Sequence, residues 1–139
     1  MIEIFVQSRY QVNRGFIRKR IFDFMKKVGI DPDTYTVSIA IIGDRKMSQI
    51  HETYLKKKGT TPVLSFPLSS QNSKVTVLTD KKYRQVFSKN KESGATLLGE
   101  IIISYPQALV FASDENKLVN VKIAEFVEHG INKLISAEQ

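Results

Sequence analysis

Cysteine is absent from this chain, which removes disulfides, thiolate nucleophiles and cysteine-bound zinc at once. Histidine is scarce: His51 and His129 are the two present, so any imidazole chemistry rests on one or both. No run approaches the ~20 consecutive apolar residues of a membrane span. The start, Met1-Ile2-Glu3-Ile4-Phe5-Val6, lacks the basic segment and long apolar core of a secretory signal. There is no glycine-rich phosphate loop and no Gly-x-Ser-x-Gly elbow, so nucleotide hydrolysis and esterase chemistry have no carrier. These absences fit a cytoplasmic protein that makes no use of a membrane.

What is present is ordinary globular material in one domain, 1–139: 139 residues, 42% hydrophobic and 25% charged. The net charge of +7 is spread unevenly. Residues 1–28 carry seven basic and two acidic side chains, residues 74–92 six and two, and residues 114–139 three and five. An anionic partner such as RNA would meet the first two regions and avoid the last. Lysines that merely keep a small domain dissolved would give the same composition, and composition leaves both readings open.

Alternating Ile2, Ile4 and Val6 predict a strand over 2–7. Asn13 caps a helix running to about Val28, with Ile17, Ile21, Phe24, Met25 and Val28 inward and Arg14, Arg18, Lys19, Lys26 and Lys27 around them. Gly29 and Pro32 end it. Tyr35–Ile42 is rich in β-branched residues and reads as a central strand. Asp44 then caps a second helix with Met47, Ile50 and Tyr54 inward. Residues 63–67 and 97–104 are further strands, and a last helix covers roughly 114–135. Residues 69–96 are polar and basic, with a short strand-like Val75-Thr76-Val77-Leu78, and read as an inserted hairpin or long loop. The order β-α-β-α-β-β-α predicts an α+β domain, a mixed sheet of about four strands with helices packed on it.

His51-Glu52-Thr53-Tyr54-Leu55 begins like a zinc helix, but the second ligand position holds Leu55, so His51 reads as an ordinary helical histidine. His129 lies on a stripe with Lys122, Glu125 and Lys133, opposite Ile123, Val127, Ile131 and Leu134. That stripe also reads as a solvated face with charge pairs one turn apart.

Val63-Leu64-Ser65-Phe66-Pro67, then Leu98-Gly99-Glu100-Ile101-Ile102-Ile103-Ser104, then a helix bearing Glu128-His129-Gly130, resemble the YbeY family in that order. Tyr54 matches a tyrosine that precedes the Leu-Ser-Phe-Pro segment, and Gln107-Ala108 match a helix after the fourth strand. The resemblance implies a YbeY-like fold and a bacterial, metal-dependent, single-strand-specific endoribonuclease of ribosomal RNA maturation and ribosome quality control. It implies three zinc-holding histidines in the pattern His-Gly-x-x-His-x-x-x-x-x-His, which fall here on His129, Lys133 and Gln139. The arginine after the tyrosine falls on Leu55, the aspartate before Val-Leu-Ser-Phe-Pro on Pro62, and Leu-Gly-Asp has become Leu98-Gly99-Glu100.

A catalytic zinc takes three protein ligands and an open position, which one imidazole does not supply. Lys133 puts a cation in the second ligand's place, and Glu125, Glu138 or Glu100 would have to complete an irregular site. The expectation is a divergent YbeY-like protein of ribosomal RNA maturation or ribosome association. It is expected to bind RNA, ribosomal RNA first, or a ribosomal partner such as a ribosomal protein, and to hold no metal cofactor; no catalytic residue is assigned, and whether it is an enzyme stays open. The expected RNA contacts are Arg14, Arg18, Lys19, Lys26, Lys27 and Lys133, with Tyr10, Phe16 and Tyr54 as base-stacking candidates. Two alternatives remain: an active metal-dependent single-strand endoribonuclease with a rearranged site, and a protein-interaction module.

Overall fold

Residues 36–42 are all buried, as a strand covered by helices on both faces requires. This strand, β2 (Tyr35–Ile42), sits in a four-stranded sheet with β1 (Ile2–Val6), β3 (Val63–Pro67) and β4 (Thr96–Ser104), in the spatial order β1-β2-β4-β3. β1, β2 and β4 run parallel, and β3 lies antiparallel beside β4. The structure, a computed structural model, describes residues 1–7, 9–67 and 96–137. The expected basic insertion at about 69–96 lies outside them except for Thr96, as do Glu138 and Gln139.

Four helices among the described residues pack on the sheet: α1 (Arg14–Lys27), α2 (Asp44–Leu55), α3 (Tyr105–Asp114) and α4 (Val119–Ala137). Alternation along the strands sends Val37, Ile39, Ile41, Ile101 and Ile103 to one face, where Ile17, Ile21 and Met25 of α1 and Ile123, Val127, Ile131 and Leu134 of α4 cover them. Ala40, Ile42 and Ile102 point the other way, into a smaller core with Met47 and Ile50 of α2 and Leu64. Tyr54 meets Phe66 edge-on there, ring centroids 5.8 Å apart. This is the mixed-sheet α+β arrangement expected. No helix among the described residues is long and apolar enough to cross a membrane.

Asn13 caps α1 as expected, its Oδ1 accepting from the Phe16 N–H at 3.0 Å. At the other end Gly29 adopts φ +86°, and the Ile30 and Gly29 N–H groups donate to the Met25 and Lys26 carbonyls. Two expectations need correction. The helix expected after the fourth strand is present as α3, but it runs through Asp114, where the last helix was expected to begin, and it closes as Asn116 enters the left-handed region at φ 56° and the Lys117 N–H donates to the Ala112 carbonyl. Asp114 therefore ends α3, and the last helix starts at Val119. Nor does Asp44 cap α2. Gly43 occupies the cap position, and the Asp44 carboxylate instead accepts from Thr60 Oγ1, from Ser104 Oγ at 3.0 Å and from Gln107 Nε2 at 3.4 Å, tying the carboxyl ends of β2 and β4 together.

Candidate nucleic-acid interface

Helix α4 presses on the sheet at two points that leave no room for a side chain. A Cβ on Gly130 would stand 2.9 Å from Ser65 Oγ and 3.0 Å from Ile101 Cδ1, and one on Gly99 would stand 2.7 Å from Leu134 Cδ2. This close approach sets the rotation of the helix. Its apolar stripe is buried, and His129 and Lys133 are exposed one turn apart.

The expected polar stripe of α4 divides in two. The Lys117 Nζ donates to Glu125 at 2.7 Å, and Lys122, only 12% exposed, reaches Glu115 at 2.8 Å and Glu125 at 3.4 Å. The hydrogen bond from Lys117, followed by that from Lys122, holds the Glu125 carboxyl below the usual glutamate range. Lys122 and Glu125 thus fasten the start of α4 to the end of α3, and the stripe is not a single cluster around His129.

The donors among the described residues do not match the zinc site that the resemblance implies. Among the described residues, no three His, Asp or Glu side chains come together in a way that would hold a metal ion. Glu125 is engaged by two ammonium groups. Glu100, 1% exposed, shares a sheet face with Ser38 and Phe66, whereas α4 lies on the opposite face against Gly99 and Ile101. Leu55, where the family arginine would stand, is 45% exposed and ends α2. Pro62 precedes β3, its carbonyl accepting from the Ser104 N–H. His51 pairs through Nδ1 with the Gly59 carbonyl at 3.1 Å, a contact that folds the α2–β3 connection back onto its helix.

Of the expected RNA contacts, Arg14, Arg18, Lys19, Lys26 and Lys27 all lie exposed on α1. Arg18 Nε points toward the Ile2 carbonyl at 3.4 Å, and Lys26 sits over the Phe22 ring at 4.7 Å. Two of the aromatic candidates are engaged internally. Tyr10 stacks on Tyr105 with centroids 4.5 Å apart, and Tyr54 packs on Phe66. Phe16 is 39% exposed.

One residue that the sequence reading passed over stands out. Arg20 forms a two-pronged pair with Glu128 of α4 at 2.9 and 3.2 Å, which raises the guanidinium above its ordinary pKa. The spacing Phe16, Arg20, Phe24 was the available signal, since residues four apart share a helix face. These side chains, with Lys19, Lys27 and Glu128, line a groove of about 590 Å³ between α1 and α4.

Comparison with known proteins agrees with this architecture. The family model described as "Endoribonuclease YbeY" matches residues 6–135. The endoribonuclease YbeY of Dehalococcoides mccartyi strain CBDB1 is 29% identical over 136 residues, covering 96% of this chain and 78% of the relative. That of Thermodesulfovibrio yellowstonii is 28% identical over 105 residues, covering 76% of this chain and 54% of the relative. The solution structure of TM1509 from Thermotoga maritima superposes with a TM-score of 0.54 at 18% identity, over 94% of this chain and 69% of that one, and shares its fold. With the family model covering nearly the whole sequence, this chain belongs to the YbeY family.

Proposed function

We propose that this protein is a divergent YbeY family member that binds RNA in ribosomal RNA maturation or ribosome association, in the cytoplasm, without the family's zinc-dependent cleavage. Residues 1–139 act as one domain in this reading. Relatives named as endoribonucleases support RNA as the partner. One observation carries the rest: the exposed imidazole of His129 is followed one turn on by the exposed ammonium of Lys133. A cation in that place repels a metal yet attracts a phosphate. Lys133 joins the α1 cations as an RNA contact, and Leu55 offers no charge to stabilise a pentavalent phosphate.

Elemental analysis and a single-stranded RNA cleavage assay test this directly. The full-length protein is expected to purify without stoichiometric zinc and to bind but not cut RNA. About one zinc per chain, or cleavage that a chelator stops, would establish the rearranged-site alternative instead. Lys133→His with Gln139→His is expected to recover zinc, with little cleavage until Leu55→Arg is added. Absence of RNA affinity at moderate salt would favour a protein-interaction module.

A further inference from the structure

Helix α1 combines two features that seldom share one surface. It carries six basic residues against one acidic, yet Phe16 lies 39% exposed among them. Phe16, Arg20 and Phe24 follow one another at four-residue spacing along the groove shared with α4. Phe24 also packs against the main core, which leaves Phe16, one turn from Arg20 along the axis, as the ring open to a chain laid in the groove. The bidentate contact to Glu128 fixes the Arg20 guanidinium, a flat cation that stacks on aromatic faces. Lys19 and Lys27 are exposed at the rim.

We infer that the α1–α4 groove is the docking surface for single-stranded RNA, with bases stacked on Phe16 and the Arg20 plane, and phosphates drawn to Lys19 and Lys27. This rests on the RNA-binding reading above and adds where the strand lies and what it must present. Stacking needs a free base face, which a duplex hides, and it tolerates any base. An acidic peptide satisfies the lysines but leaves the Phe16 ring uncovered. Helix α4 contributes Glu128 to the groove and carries His129 as its next residue, so a strand held here lies against the helix that bears the family's histidine position. Asp23, 4.0 Å from Lys19, is the one acidic group in the groove without a bidentate partner, and Asp23→Asn is expected to tighten binding a few-fold.

The chain contains no tryptophan, so Phe16→Trp introduces a single reporter. Titration with a single-stranded RNA oligonucleotide is expected to quench its emission to saturation, whereas heparin or an abasic strand of equal length leaves it nearly unchanged. In parallel, Phe16→Ala is expected to weaken binding of a labelled single strand by on the order of tenfold relative to the unmodified protein. A folded Phe16→Ala protein that binds as tightly as the original overturns the stacking surface while leaving RNA binding itself standing. Equal quenching by heparin or an acidic peptide overturns it as well. If the unmodified protein binds no RNA at all, both this inference and the reading beneath it fall.

Discussion

Two glycines seat α4 by the same means but with different tolerance. A methyl group at Gly99 meets Leu134 Cδ2 and the Phe66 carbonyl oxygen, both at 2.7 Å, and the carbonyl belongs to a paired strand that has nowhere to rotate. At Gly130 the obstacles are the tips of Ser65 and Ile101, which have rotamers to choose from. Gly99→Ala is therefore expected to cost roughly 1–3 kcal/mol, the range of overpacked cores, and to cost more than Gly130→Ala. Urea unfolding midpoints of the two variants check this, and a reversed order would mean that the strand gives way more easily than the side chains. Both glycines stand inside motifs shared with the family, so part of that resemblance records the close seating of a helix on a sheet.

The turn between α3 and α4 depends on a backbone conformation and on charge. Asn116 sits at φ 56°, in the left-handed region that glycine enters freely and that, among residues with a side chain, asparagine and aspartate enter most readily. Asn116→Ala is expected to destabilise by roughly 1 kcal/mol and Asn116→Gly to leave stability nearly unchanged, as read by thermal unfolding. Around this turn Glu115 and Glu125 are both held below the usual carboxylate range, Glu115 first by its hydrogen bond from Lys122 and Glu125 first by that from Lys117. A carboxyl lowered on folding adds stability that is complete above its unfolded pKa of about 4.3 and is lost as pH falls through the lower folded value. The protein is thus expected to weaken on acidification from about pH 4.3 downward. Glu125→Gln should flatten that limb by lowering stability near neutral pH, because the variant lacks the ion pairs that acid otherwise removes. An acid limb unchanged in Glu125→Gln would show that other carboxylates govern it.

For the molecule as a whole, charge is segregated: α1 is strongly basic and residues 114–139 carry an acidic excess. A polyanion approaching such a surface is oriented before contact, and each phosphate neutralised steepens the salt dependence. Replacing Lys19 and Lys27 with glutamine is expected to reduce the slope of log K against log salt by about 1.4, at about 0.7 for each single-strand phosphate contact. Lys57→Gln with Lys58→Gln, exposed beyond the end of α2, is the matched control and is expected to leave the slope unchanged. Lys117 and Lys122 make a poor control, because their ion pairs hold the α3–α4 turn. Equal slopes in both pairs of variants would mean diffuse attraction and no groove.

Local chemistry was legible from the amino-acid order because it is written in neighbouring residues. Asn13 three positions before the N–H that it caps, Gly29 at the end of α1, and the β-branched run of β2 each announce themselves within one turn or one strand. The Val-Leu-Ser-Phe-Pro, Leu-Gly-Glu and Glu-His-Gly segments likewise carried the family. The break at Asn116 was missed because a polar residue inside a helical periodicity does not disclose its φ. Periodicity assigns a residue to a face but never names what that face meets. Arg20 therefore looked like one more surface cation until folding brought it to Glu128, 108 positions away. Glu100 was one of three carboxylates that would have had to complete an irregular site, and the sheet sets it on the side away from α4; Asp44 looked like a helix cap until Ser104, 60 positions on, arrived beside it. Those pairings are decided by strand order and helix seating, which depend on the fit of distant surfaces and are recorded in no single stretch of the chain.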